Sequence, residues 1–300
     1  MLKYRAISFP LLMALLGVIF FAPLRISACV FTFCALLMVG IAACECARML
    51  NNTLLPCFPK LTGILAGGFV AVTLIQLMPL AFDGNSAVLS KAAQLAGAGW
   101  MALIVICALL PWVATVFGGA ETAKKGFATI GVVWAIIVPF GMVAVLYVPE
   151  PKYLFFVMMV TKAMDTGGYV FGMLSNKLMP GGNHKLCPSI SPKKSWEGFA
   201  GGVLLAVLTA WALRAIFPGW DFTHYLGTFA WWKELTLAVL LALASICGDL
   251  TESALKRKCG VKDSGNLIPG MGGPLDVLDS FIYVGPVCLI FSLILKTFKL

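Results

Sequence analysis

Apolar residues occur in long runs separated by short polar breaks, not in the alternating or one-faced patterns of a water-soluble fold. The runs fall at 7–24, 26–43, 61–82, 97–117, 127–148, 153–172, 200–217, 234–250 and 277–296. Each approaches the ~20 mostly apolar residues that a transmembrane helix needs. The breaks carry turn or charge signals: Arg25, Glu45 to Lys60, Asp83-Gly84-Asn85, Gly118 to Gly126, and Pro149-Glu150-Pro151. The pattern therefore predicts an all-α polytopic membrane protein of about nine spans. A membrane barrel would instead show alternating segments of ~10 residues. Two stretches, 173–199 and 251–276, are too polar to span and too long to be simple turns. With nine spans they fall on the same side of the membrane, so one site can draw on both.

Composition removes the alternatives. Hydrophobic residues are 60% of the 300 residues, and charged residues are 12%, about half the usual ~25%. Disorder needs low hydrophobicity and high charge, the reverse of this chain. The net charge of +9 does not point to nucleic acid. In so apolar a chain, excess Lys and Arg mark cytoplasmic loops or a site for anionic substrates. The modest Lys and Arg bias places both polar loops in the cytoplasm. The ten cysteines form no metal-type CxxC pair and lie mostly in apolar runs, where Cys behaves as a small hydrophobe. Lys3 and Arg5 precede an apolar run without an A-x-A cleavage pattern, and a second run follows at once, which reads as a first transmembrane hairpin.

The polar residues are unevenly placed. Seven of the 13 acids are Asp165, Glu197, Asp249, Glu252, Asp263, Asp276 and Asp279. Residues 1–150 read as scaffold helices, and 151–300 as the region that carries chemistry. Asp249, Glu252, Ser253 and Lys256 share one helix face, either as a solvated interfacial end or as a polar site. An acid at membrane depth is costly and usually has a partner or ligand. Asp276 and Asp279 are spaced to share a face at the start of the last span. They read either as favourable first-turn acids or as oxygen ligands for Mg²⁺, with Asp249 joining if the last two helices pack. Lys193 and Lys194, beside Ser191 and Ser195, suit a triphosphate or lipid phosphate, or a solvated basic patch. The Gly-rich loop with Gly270, Gly272 and Gly273 can bring backbone N–H groups close to phosphates. Lys162 and Asp165 lie within a span, as an intrahelical pair or as part of a polar cavity.

Three segments together resemble the CDP-diacylglycerol synthase (phosphatidate cytidylyltransferase) family: Asp165-Thr-Gly-Gly-Tyr-Val-Phe-Gly172; His184 to Gly198, with Ser-Pro-Lys-Lys-Ser-Trp-Glu-Gly; and Gly248 to Asp279. In the last, Ser253, Lys256, Arg257, Lys262, Asp263, Pro269, Gly270, Gly272, Gly273, Asp276 and Asp279 fit the family pattern. Met271 stands where the family has His, and Val277 where it has Arg. The resemblance implies transfer of a cytidylyl group from CTP to phosphatidate, giving CDP-diacylglycerol and pyrophosphate in phospholipid biosynthesis. It further implies Asp249, Asp276, Lys256, Ser253 and Asp263 as catalytic residues, and Mg²⁺ on Asp249, Asp276 and Asp279, with a second metal ion left open. The substrate-binding residues it implies are Lys193, Lys194, Ser191, Arg257, Lys262, Gly270, Gly272, Gly273, Asp165 and Glu197. The expected setting is a multi-pass protein of the cell (inner) membrane with its active site facing the cytoplasm. Its expected partners are CTP, phosphatidate and the lipid bilayer, with no nucleic acid and with homodimerisation left open. The alternatives at this stage are a related CTP-dependent enzyme acting on another lipid phosphate or polyprenol, a secondary transporter with Lys162 and Asp165 as coupling pair, and an inactive family member.

Overall fold

The computed structural model describes residues 14–51, 53, 55–81, 87–147, 151–217, 231–268 and 272–298. A helical stretch over 14–21 precedes α1 (Leu24–Asn51), α2 (Pro59–Ala81), α3 (Ala87–Tyr147) and α4 (Pro151–Leu178). A small hairpin follows, β1 (Lys185–Cys187) and β2 (Ser191–Ser195), and then α5 (Trp196–Ile216), α6 (Trp231–Lys258), the short α7 (Pro274–Leu278) and α8 (Phe281–Phe298). Among the described residues, six helical segments are long and apolar enough to cross a membrane. Large apolar side chains such as Trp112, Val116, Phe117 and Ile64 point outward, where water would penalise them and lipid does not. This is an all-α polytopic membrane protein.

The expected spans 97–117 and 127–148 appear, within the described residues, as the two helices that make up α3, separated at Gly119; a Cβ on Gly126 would lie 3.1 Å from Pro111 Cα, so the second helix folds back on the first. The expected break over 118–126 is met at Gly119, whose φ of 69° and ψ of −166° are non-helical values open to glycine. The remainder of that segment, with Glu121 and Lys124 paired at 2.6 Å, is helical. Residues 7–13 of the expected first span, 7–24, lie outside the described residues, and its 14–21 portion is helical. The span expected at 153–172 is helical within α4, but Lys162 and Asp165 dilute its apolar character and it is not one of the six.

Both polar stretches are shorter as loops than their composition suggests. α4 continues through Ser175-Asn176-Lys177 until Pro180-Gly181-Gly182, where both glycines take positive φ (90° and 83°). α6 continues to Lys258 and ends before Gly260 at φ 68°, the usual glycine stop. The hairpin pairs Lys185 with Ser195 and Cys187 with Ser191. Ser195 then caps α5, its hydroxyl accepting the Gly198 N–H at 3.1 Å.

The chain divides into two units: Met1–Pro149 with Lys258–Leu278, and Glu150–Arg257 with Asp279–Leu300. In the first, α2 packs against α1 and α3. Gly40 and Gly63 face each other there: a Cβ on Gly63 would lie 2.8 Å from the Gly40 carbonyl. Phe69, fully buried, packs against Trp100 and Trp134. In the second, α4 and α5 form the largest helix contact. A Cβ on Gly167 would lie 2.9 Å from both the Gly201 carbonyl and Gly202 Cα. Small residues let two membrane helices approach closely where apolar burial alone gives no preference over lipid.

Candidate active site

In the second unit, Ser245, Asp249 and Ser253 repeat every four residues and form one stripe on α6. Each has a polar partner. Ser245 Oγ donates to Asp165 Oδ1 on α4 at 3.1 Å. Asp165 Oδ2 lies 3.1 Å from Lys162 Nζ one turn earlier. Asp249 Oδ2 lies 2.8 Å from Lys194 Nζ on β2, and Asp249 Oδ1 accepts from Ser253 Oγ at 3.3 Å. Alongside, Glu252 and Lys256 pair at 2.5 Å, the favourable i, i+4 order of acid before base.

Asp279 belongs to this unit and is buried. Its carboxylate accepts from the Ser280 N–H at 2.5 Å and the Ser280 hydroxyl at 3.0 Å, and its charged neighbours are Asp249 and Lys162. Gly248 makes this approach possible: a Cβ there would lie 2.5 Å from the Asp279 carbonyl and 2.9 Å from Ser280 Cα. The second unit thus gathers three acids (Asp165, Asp249 and Asp279), two lysines (Lys162 and Lys194) and three hydroxyls (Ser245, Ser253 and Ser280). Such a cluster suits recognition of a highly charged phosphate substrate.

The hairpin is fastened to α6 twice, by Lys194 to Asp249 and by the Arg257 Nε–H donating to the Ile190 carbonyl at 3.4 Å. Lys193 is exposed, and Ser191 is half-buried at the start of β2. Glu197 turns to His184, accepting from its backbone N–H and contacting Nδ1 at 2.6 Å.

Asp276 lies in the first unit. The expectation that Asp276 and Asp279 sit on one helix face is not met, because α7 ends at Leu278 and a turn at Asp279-Ser280 separates it from α8. The cause is local: Asp279 takes up the next residue's N–H with its own side chain, the habit that makes Asp a helix starter. Asp276 Oδ2 instead accepts the Gly273 N–H at 2.7 Å, the Ser264 N–H at 3.1 Å and the Ser264 hydroxyl at 2.9 Å. Ser264 Oγ also lies 3.2 Å from Glu45 Oε2, which accepts the Leu275 N–H at 3.1 Å. Gly272 bridges Ile268 across the loop with φ 95°. Lys262 and Asp263 are exposed on the same loop, and Gly270 and Met271 lie outside the described residues.

Asp249 and Asp279 belong to the second unit and Asp276 to the first; among the described residues no group of three His, Cys, Asp or Glu side chains is placed to hold a metal ion. Glu45, Ser245, Ser264 and Ser280 are the polar partners that motif reading missed. Glu45 alone carried a readable signal, an acid flanked by long apolar runs.

The chain matches the cytidylyltransferase family over residues 5–295. It is 42% identical over 135 residues to a protein of Staphylococcus saprophyticus named phosphatidate cytidylyltransferase, covering 45% of this chain and 46% of the relative. A protein of the same name from Staphylococcus epidermidis is 39% identical over 136 residues, covering 45% and 47%. A third, from Mycobacterium bovis, is 36% identical over 230 residues, covering 70% and 68%. The chain spans about half the length of the staphylococcal relatives it matches. A match running nearly from end to end, over both units and every segment described above, is decisive for kinship: the chain belongs to the cytidylyltransferase family.

Proposed function

We propose that this protein is a phosphatidate cytidylyltransferase, a nucleotidyltransferase that makes CDP-diacylglycerol for phospholipid biosynthesis at the cytoplasmic face of the cell membrane. The observation that carries this reading is the contact between Lys194 and Asp249. It ties the Ser-Pro-Lys-Lys-Ser-Trp-Glu-Gly hairpin to the carboxylate end of α6, beside buried Asp279 and the Lys162–Asp165 pair. The names of the relatives point to the same substrates, CTP and phosphatidate.

The reaction fits the chemistry of these groups. A phosphate oxygen of phosphatidate attacks the α-phosphorus of CTP. The bond from that phosphorus to the β-bridging oxygen breaks, and pyrophosphate leaves with the bonding electrons. No covalent protein intermediate and no redox partner are required. Lysine ammonium groups near the phosphates offset the charge that builds as attacking and leaving oxygens share one phosphorus. The proposal gives that task to Lys194, half-buried on β2 against Asp249, and to Lys162, paired with Asp165 on α4, with Lys193 and Arg257 as further cations beside the hairpin.

Divalent-metal dependence is part of the proposal. Asp249 and Asp279 are the pair that fits it: two acids of one unit, close enough to act on each other electrostatically, which is the situation a hard cation relieves. Bound there, Mg²⁺ would supply further neutralisation of the phosphate oxygens. Purified protein in detergent, given labelled CTP, phosphatidate and Mg²⁺, is expected to form CDP-diacylglycerol. Activity unaltered by EDTA and by Asp249→Ala would remove the metal from the proposal.

A further inference from the structure

We propose that Glu45, on α1, is the N-terminal cap of α7 supplied from a distant part of the chain, and that it is thereby the positioning residue for Asp276 and the end of the Gly-rich loop. α7 begins at Pro274, so Gly273 occupies the cap position. A capping side chain normally accepts the N–H of the second or third helical residue. Gly273 has no side chain to do this, yet the Leu275 N–H, at the second position, is not left bare: Glu45 Oε2 accepts it at 3.1 Å. Asp276, at the third position, reaches back to the Gly273 N–H at 2.7 Å, which is the other half of a capping box. Both ends of the cap are therefore served by side chains, one of them borrowed from a residue 230 positions earlier.

The glycines at this place follow from the arrangement. A Cβ on Gly273 would run into both Glu45 carboxylate oxygens and the Ser264 hydroxyl, and a Cβ on Gly265 would run into Glu45 Oε1. The carboxylate of Glu45 occupies the space that a local capping side chain would need. Glu45 is buried, and Ser264 Oγ stands between it and Asp276, 3.2 Å and 2.9 Å away. Removing Glu45 therefore releases α7 and loosens Ser264 and Asp276 together.

The consequence for turnover rests on the reading of the Gly-rich loop as part of the CTP site. Glu45→Ala is expected to speed amide hydrogen exchange over residues 272–278 by about tenfold, the size of a lost cap, and to raise KM for CTP by a similar factor with kcat little changed. Glu45→Gln, which keeps an acceptor oxygen for Leu275, should fall between. Unchanged exchange in Glu45→Ala overturns the cap, whatever happens to turnover. Faster exchange with unchanged KM overturns the positioning role. Wild-type protein without CTP turnover would count against the proposed function, while the exchange measurement would still decide the cap.

Discussion

Lys194 Nζ lies 2.8 Å from Asp249 Oδ2, so a β-strand of only five residues delivers a cation to the polar end of a 28-residue membrane helix. Lys193, its neighbour, faces outward. The two lysines of the motif should therefore differ in weight. Lys194→Ala is expected to lower kcat/KM for CTP by roughly 10²–10³-fold, the usual loss for one preorganised electrostatic contact. Lys193→Ala should cost less. Equal losses for both would mean that the pair acts only as diffuse positive charge.

Metal removal gives the second prediction. EDTA should abolish turnover, and Mg²⁺ should restore it. Asp249→Asn and Asp279→Asn should each shift the Mg²⁺ titration to higher concentration, because each removes one formal charge from the pair. A titration curve superimposable on the wild type in both variants would place the metal elsewhere.

The hydrogen bond from Ser245 to Asp165 links α6 to α4. Ser245→Ala should lower thermal stability in detergent by about 1 kcal/mol, the net value of a typical internal hydrogen bond. Its effect on turnover should be smaller than that of Lys194→Ala. Ser245→Thr, which keeps the hydroxyl, should recover most of the lost stability.

The packing of α4 on α5 depends on absent side chains. A Cβ at Gly202 would lie 2.7 Å from the Met164 carbonyl. Gly202→Leu should cost at least the 1–3 kcal/mol typical of an overpacked core (roughly), seen as a lower unfolding temperature and poorer recovery from membranes. Gly131, around which a Cβ would meet nothing within 4 Å, should accept Leu with little change in that temperature.

Membrane class and helical character were readable from run length alone, because lipid forces each spanning segment to be long, apolar and internally hydrogen-bonded. The helix ends were less readable. At 251–258 the charged residues signal a loop by composition, yet Glu252–Lys256 and Asp249–Ser253 satisfy one another at i, i+4 spacing and keep the helix going. At Gly119 the composition signals a break, and the backbone there is non-helical and separates two helices, although the flanking residues Glu121 to Lys125 are themselves helical. The face of α6 that carries Asp249, Glu252, Ser253 and Lys256 was visible from helical spacing. The separation of Asp276 from Asp279 was not, since a three-residue spacing looks the same whether the helix is continuous or interrupted. Glu45 was the harder case. Its role depends on a backbone N–H at Leu275, and a partner that is backbone leaves no complementary residue type in the sequence.

Cytidylyl transfer sends the α-phosphate of CTP into lipid and its other two phosphates into pyrophosphate, so their fate distinguishes it from other reactions. Purified protein should be incubated with phosphatidate, Mg²⁺ and CTP labelled either at the α- or at the γ-phosphate. α-Label is expected in the lipid fraction as CDP-diacylglycerol, γ-label only in pyrophosphate, and neither product when EDTA is present. Label from the γ-phosphate in lipid, or no α-label in lipid from folded protein, would contradict cytidylyl transfer.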